Sequence, residues 1–253
     1  MNITFLGTGT SQGVPVIACE CPICLSLDFR DKRLRSSVLV ELPELTLVID
    51  TGPDFRQQML RERVKDLDAV LFTHQHKDHI AGLDDIRAFN FLHNKDIPIY
   101  AENHVMQQLS KEFAYAFKEN KYPGVPLIIP REINETSFDI KGNKIVPIRV
   151  MHYRLPVLGF RIGDFVYITD AKTIPEEEKN KIRNCKCLVL NAVHQDEHHS
   201  HFNLNEAINM ANELEAEQTW ITHISHRMGL HQVVEQNMPD HVKLAWDGLK
   251  ISC

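Results

Sequence analysis

Residues 73–79 read Thr73-His74-Gln75-His76-Lys77-Asp78-His79, which places four side chains of metal-ligand type within six residues. Directly upstream, Ala69-Val70-Leu71-Phe72-Thr73 is a continuous apolar run of buried-strand length that delivers the chain to His74. Strand ends are rigid, and metal ligands need rigid placement. In an extended loop side chains alternate with period two, so His74 and His76 project to the same side and reach one metal. Asp78 and His79 begin a helix and point elsewhere, which suits a second metal held beside the first.

Outward from this stretch the same style repeats. Strands are expected at residues 2–6, 38–42, 45–49 and 97–100, the middle two forming a hairpin around Pro43-Glu44, and helices at 55–64, 80–92 and 105–117. In the second half strands are expected at 145–150, 157–162, 165–169, 187–191 and 219–222, with a last strand pair within 243–251 and helices at 175–182 and 204–214. Apolar strands alternating with amphipathic helices predict a layered α/β fold. No Pro/Gly/Ser-rich linker divides the chain, so residues 1–253 are expected to form one domain, with 118–131 as a surface excursion.

Composition narrows the function. With 43% hydrophobic and 25% charged residues in 253, the chain reads as globular rather than disordered. A net charge of −6 opposes a mechanism that neutralises many phosphates of a long nucleic acid, but leaves a small anionic substrate open. No apolar run approaches the roughly 18 residues of a membrane helix, and no basic segment followed by an apolar one starts the chain, so a cytoplasmic location without a membrane partner is expected. The 14 His and 6 Cys are clustered. Cys19, Cys21 and Cys24 fall within six residues, Cys185 and Cys187 form a second close pair, and Cys253 ends the chain. Close cysteines in such a protein are metal ligands or bystanders before they are disulfides. The second pair and Cys253 lack a partner His in a recognisable pattern and read as bystanders.

The run H-x-H-x-D-H after an apolar strand resembles the signature of the metallo-β-lactamase superfamily, which implies a four-layer αββα sandwich. On that resemblance Asp50 of Asp50-Thr51-Gly52 supports the ligands from outside the coordination shell. His152 completes the first metal set, Asp170 bridges both metals, and His223 completes the second. Alone, His152 or His223 reads as a core histidine and Asp170 as a helix cap. In order, each just beyond an expected strand, they read as one site. Gly7-Thr8-Gly9-Thr10 with Gly13-Val14-Pro15, Cys19-Glu20-Cys21-Pro22-Ile23-Cys24, Thr222-His223-Ile224-Ser225-His226 and Asp247-Gly248 further resemble the phosphonate-pathway cyclic phosphate phosphodiesterase family. The similarity thins between about residues 102 and 143. In that family the cysteine loop binds a structural zinc with a distant His, which here is His226, and three thiolates at this spacing suit a closed tetrahedral site.

The resemblance implies two divalent ions, Zn or Mn, on His74, His76, Asp78, His79, His152, Asp170 and His223, and one structural Zn on Cys19, Cys21, Cys24 and His226. Two such ions acidify water to hydroxide for attack on a small cyclic or linear phosphodiester, with Asp78 counted in the catalytic machinery. The same resemblance makes His201, in His201-Phe202-Asn203-Leu204, the acid that protonates the leaving oxygen. His194, His198 and His199 are expected to be loop residues. The nearest rival is a tRNA 3′-end processing endonuclease, which the acidic charge opposes; outside Lys118 to Lys121 the sequence offers no basic arm. A non-catalytic zinc-binding module of the same fold is a second alternative. The expected partner is a small phosphodiester, with no long nucleic acid and with a homodimer left open.

Overall fold

The protein is described by a computed structural model covering residues 1–120 and 122–253. Lys121, the end of the basic stretch considered above, lies outside the described residues. The strands in chain order are β1 (Asn2–Gly7), β2 (Ser37–Leu42), β3 (Leu45–Ile49), β4 (Ala69–Leu71), β5 (Ile97–Ala101), β6 (Ile128–Glu132) and β7 (Phe138–Ile140). They continue with β8 (Asn143–His152), β9 (Leu155–Ile162), β10 (Phe165–Tyr167), β11 (Cys187–Asn191), β12 (Gln218–Thr222), β13 (Val242–Leu244) and β14 (Lys250–Ser252). Two seven-stranded sheets result, ordered β14-β1-β2-β3-β4-β5-β6 and β13-β12-β11-β10-β9-β8-β7. Strands joined by tight turns pair antiparallel, as β2 with β3 and β8 with β9. Those joined through helices pair parallel, as β3 with β4 and β11 with β12.

Side-chain alternation builds the layers. Val38 and Val40 of β2 with Leu45, Leu47 and Ile49 of β3 face Leu158, Phe160, Phe165, Tyr167 and Val189 of the other sheet, all buried. The intervening Leu39 and Val48 turn outward onto Phe55, Met59, Ile80 and Leu83. Val166, Leu188 and Leu190 turn outward from the second sheet onto Ala207, Ala211 and Leu214 of the helix Leu204–Leu214. Strands buried on both faces read as the near-continuous apolar runs seen in the sequence. Two sheets face to face with helices outside give the α/β sandwich expected.

Several local expectations are corrected. The helix expected at 80–92 is three pieces, Lys77–Ile80, a 3₁₀ turn Leu83–Ile86 and Arg87–His93. The break falls at Gly82, where a Cβ would run into the carbonyl oxygen of Gly52. The excursion at 118–131 closes in β6, the edge partner of β5. The last two strands do not pair with each other: β13 lies beside β12 and β14 beside β1. Cys187 and Cys253 are not bystanders but a disulfide, joining β11 of one sheet to the residue after β14 of the other. Cys185 is free and buried. Among the described residues no helix is long and apolar enough to cross a membrane.

Candidate metal centre

The site is assembled at the strand ends along one edge of the two facing sheets. The Leu158 amide of β9 donates to the Thr73 carbonyl at 3.0 Å, fastening the segment that leaves β4 onto the second sheet. The segment after β3 is zipped to the histidine loop by two further bonds. The Thr51 amide donates to the His79 carbonyl, and the Gly82 amide donates to the Thr51 carbonyl, each at 2.8 Å. His152 is the last residue of β8, Asp170 lies three residues past β10, and His223 follows β12 directly. Asp50, Asp170 and His223 all adopt left-handed backbone conformations, with φ of 66°, 55° and 57°. Such conformations in non-glycine residues cost on the order of 1–3 kcal/mol and concentrate at functional sites.

Hydrogen bonds from behind fix which nitrogen of each ring faces inward. His79 donates from Nδ1 to Asp50 Oδ2 at 2.7 Å, and His152 donates from Nδ1 to the Ser200 carbonyl at 2.7 Å. Thr73 gives both its amide and its hydroxyl to the Asp50 carboxylate, at 2.9 and 2.8 Å. Its hydroxyl oxygen therefore accepts from His74 Nδ1 at 2.9 Å. In the neutral form each of the three rings turns its Nε2 lone pair inward, the arrangement that hydrogen bonds from behind impose on metal-ligating histidines. On the opposite side the Thr169 hydroxyl donates to Asp170 Oδ2 at 2.7 Å.

The inward atoms converge. His79 Nε2 lies 3.3 Å from Asp78 Oδ2 and 3.2 Å from Asp170 Oδ2, and His223 Nε2 lies 3.3 Å from Asp170 Oδ1. Three overlapping sets bring their ligand atoms within 4.8 Å of one another: His74, His79 and Asp170; Asp78, His79 and His223; His152, Asp170 and His201. His76 is exposed and belongs to none of these sets, though its ring stands 4.5 Å from that of His74 and 5.3 Å from that of His152. Buried His74 Nε2, His79 Nε2 and His201 Nδ1 have no hydrogen-bond partner. Orphaned nitrogens aimed at shared carboxylates suit cations between them, because an unsatisfied buried polar atom is costly.

The electrostatics fit that reading. Burial pushes His74 well below the usual imidazole value and lowers His223 as well. Burial opposes protonation of His79, yet the carboxylates of Asp170, Asp78 and Asp50 hold it well above that value. Burial likewise opposes charge on Asp170, but His223 and His79 keep it ionised well below the carboxylate range. The buried Asp50 carboxyl is pushed up by burial. His201, with Nδ1 3.7 Å from Asp170 Oδ1, is pushed down to about 2 by burial, so its ring is neutral in the free protein.

A second cluster stands apart from the first. His226 Nδ1 lies 3.3, 3.4 and 3.5 Å from the sulfurs of Cys19, Cys21 and Cys24. A tetrahedral zinc with its usual bond lengths separates N and S by about 3.6 Å, so the cradle has the right size. Cys21 caps the short helix Pro22–Leu25, and the Cys24 amide leads in drawing its thiol down to about 6. Burial pushes the Cys24 thiol up to about 11.

Spacing in the sequence marked His74, His76, Asp78, His79 and the three cysteines, and the family resemblance marked His152, Asp170, His201, His223 and His226. Neither marked the Thr73 and Thr169 hydroxyls or the Ser200 carbonyl. The threonines carried a signal that went unread, since Thr73, Thr169 and Thr222 each directly precede a ligand-type residue. A backbone carbonyl carries none.

Comparison with known proteins places this geometry. The family described as Beta-lactamase superfamily domain matches residues 46–224. A solved structure described as a new diphosphatase from the PhnP family superposes with a TM-score of 0.93 at 36% identity, covering 99% of this chain and 96% of that one. An octanoyltransferase of Porphyromonas gingivalis is 38% identical over 99% of this chain and 51% of its own length. A ribonuclease Z of Prochlorococcus marinus is 26% identical over 65% of this chain and 50% of its own. The chain thus spans about half the length of these named relatives, and the octanoyltransferase name describes a chain about twice as long. Matched across its length in sequence and in fold, the chain belongs to the beta-lactamase superfamily of hydrolases, and within it to the PhnP family.

Proposed function

We propose that the chain is a metal-dependent hydrolase of small phosphodiesters, cyclic or linear. The observation that carries this is the convergence of His74, His79, Asp78, Asp170 and His223 with orphaned buried nitrogens among them. His74, His76, His152 and Asp170 would hold one divalent ion, and Asp78, His79, Asp170 and His223 the other, as Zn or Mn. When bound, two such ions supply Lewis acidity toward phosphoryl oxygens and lower the pKa of water at the site. The protein's own residues prepare the ground for it. Asp50 and the Ser200 carbonyl fix the tautomers of His79 and His152, and Asp170 presents one oxygen toward His79 and the other toward His223. His201 is placed to hold and deliver a proton to the leaving oxygen. An anionic phosphoryl group opposite its ring works against the burial that keeps it neutral. Cys19, Cys21, Cys24 and His226 would hold a structural zinc that does no chemistry.

Phosphorus as the target is supported by two relatives whose names describe cleavage there, a diphosphatase and a ribonuclease. Small size is supported by the charge of −6, which opposes the electropositive grip a tRNA needs. The test is a screen of cyclic and linear phosphodiesters with chelator-stripped protein reloaded with Zn²⁺ or Mn²⁺. Metal-dependent hydrolysis of small diesters is expected, and cleavage of precursor tRNA with no action on small diesters would favour the endonuclease instead.

A further inference from the structure

Three strands of the second sheet hand the chain to a residue of the centre: β8 ends in His152, β10 leads to Asp170 and β12 to His223. Between β10 and β12 lies β11, and it ends in a neutral amide, Asn191. This side chain is fully buried, so its donor and its acceptor both need partners inside the protein. Both are spent on one residue. Asn191 Oδ1 accepts from the Ala171 amide at 2.7 Å, and Nδ2 donates to the Ala171 carbonyl at 2.9 Å. The Ala171 amide can only donate, which fixes the way round of the Asn191 side chain.

Ala171 directly follows Asp170. The ladder between β10 and β11 pairs Tyr167 with Val189 and stops after the Ile168 amide donates to the Val189 carbonyl at 2.9 Å. Two residues on, Asp170 turns left-handed and leaves the strand. From there the Asn191 amide takes the place of the ladder, offering the donor and acceptor that a peptide unit of β11 would have offered. The Ala171 carbonyl also accepts from the Phe202 amide at 2.8 Å, so the residue after His201 hangs on the same group. The next two residues complete a frame. The Ala192 amide donates to the carbonyl of Thr222, just before His223, at 3.0 Å, and the Val193 amide donates to the Phe202 carbonyl at 3.1 Å. Asp170, His201 and His223 thus each lie one residue from a backbone group fastened to 191–193.

We propose that Asn191 is a positioning residue of the metal centre. It holds Asp170 in the turn that presents one carboxylate oxygen to His79 and the other to His223, and through Phe202 it sets His201 beside that carboxylate. It acts through Ala171 rather than on the reacting atoms. Leucine at this position would match its volume and make neither bond, and serine is too short to make both. Only the kinetic consequence rests on the phosphodiester reading above.

The experiment compares wild type, Asn191→Leu and Asn191→Ser well below the melting temperature of each. Mn²⁺ is titrated into chelator-stripped protein and followed by electron paramagnetic resonance, because two Mn²⁺ ions sharing a carboxylate couple magnetically and an isolated ion does not. Wild type should fill as a coupled pair. Both variants should bind the second ion about 10- to 100-fold more weakly, with the coupled signal displaced to higher Mn²⁺. At saturating Mn²⁺ their kcat on bis(p-nitrophenyl) phosphate should be about 10²-fold lower with KM little changed, the scale of a small misplacement of groups. Variants that melt earlier yet keep the wild-type second-ion affinity, coupled signal and kcat would overturn the proposal, since Asn191 would then serve the fold alone. Nuclear magnetic resonance of stripped wild type decides the matter even where neither variant folds: the Asn191 side-chain amide and the Ala171 amide should both be protected from solvent exchange, and rapid exchange of either would overturn the proposal. If wild type cuts no diester, the phosphodiester reading fails while the Mn²⁺ titration still decides the role of Asn191.

Discussion

At the residue scale the outer nitrogens of three centre histidines, His74, His79 and His152, are committed to hydrogen bonds. Asp50 does most of this work, holding His79 directly and His74 through the Thr73 hydroxyl. Asp50→Asn keeps the volume but removes the charge that favours both bonds, so metal affinity should fall about 10- to 100-fold with the fold retained. Competition against a chelator, read beside circular dichroism, checks this. Asp78→Ala removes a ligand-type side chain that sits on the short helix Lys77–Ile80 rather than in the core, and should nearly abolish hydrolysis with little change in melting temperature. His201 offers a sharper test. If it protonates the leaving oxygen, His201→Ala should slow alkyl diesters about 10²- to 10⁴-fold and nitrophenyl diesters far less, because a nitrophenolate leaves without a proton. Equal losses on both would show that the ring only binds. The ligand-type residues of the histidine run and the cysteine loop were legible because metal chemistry restricts residue type and spacing at once, and the distant His152, Asp170, His223 and His226 were legible only through the family resemblance. The bonds that orient them were less so, since a hydroxyl or a carbonyl serves many purposes.

At the element scale the close approach of two loops decides the geometry. Gly52 and Gly82 let the segment after β3 lie against the histidine loop, where a Cβ on Gly52 would strike the Asp78 carbonyl. Gly82→Ala should therefore cost roughly 1–3 kcal/mol of stability by overpacking and weaken metal binding with it. Thermal unfolding of the metal-loaded and stripped variants measures both. This approach is also why the helix expected at 80–92 is broken. Apolar periodicity at Ile80, Leu83, Ile86 and Phe89 reports a shared buried face, and a short helix, a 3₁₀ turn and a second helix satisfy that face as well as one helix does. The cysteine loop is another matter of element placement. Cys21→Ser should lose one zinc and melt earlier before it loses activity, because a closed site contributes to folding directly. An unchanged zinc content and melting temperature would remove that site.

At the scale of the whole molecule, three apolar layers, one between the sheets and one outside each, support a site built from both sheets at once. The chain's end is drawn into this plan: β14 returns to β1, and Cys253 bonds across to Cys187 of the other sheet. Closing 66 residues of chain restricts the unfolded state by about 4 kcal/mol in the chain-entropy account. Cys253→Ser should approach that loss under oxidising conditions and none under strong reductant, as denaturant unfolding in both buffers will show. The fold class was legible because both sheets are buried on two faces and write long apolar runs. The strand order at the edges was not, since β13 and β14 are three residues each and nothing local says that they join different sheets. The central claim is that the shared carboxylates and histidines hold metal and that this metal is needed for phosphodiester hydrolysis. The most direct measurement titrates Zn²⁺ or Mn²⁺ into chelator-stripped protein while bound metal per chain and bis(p-nitrophenyl) phosphate hydrolysis are followed together, in wild type and Asp78→Ala. Hydrolysis should be absent when stripped and return as the wild-type centre fills, while Asp78→Ala binds one ion fewer and stays inactive; hydrolysis that persists in stripped protein, or a filled centre that cuts no diester, would contradict the account.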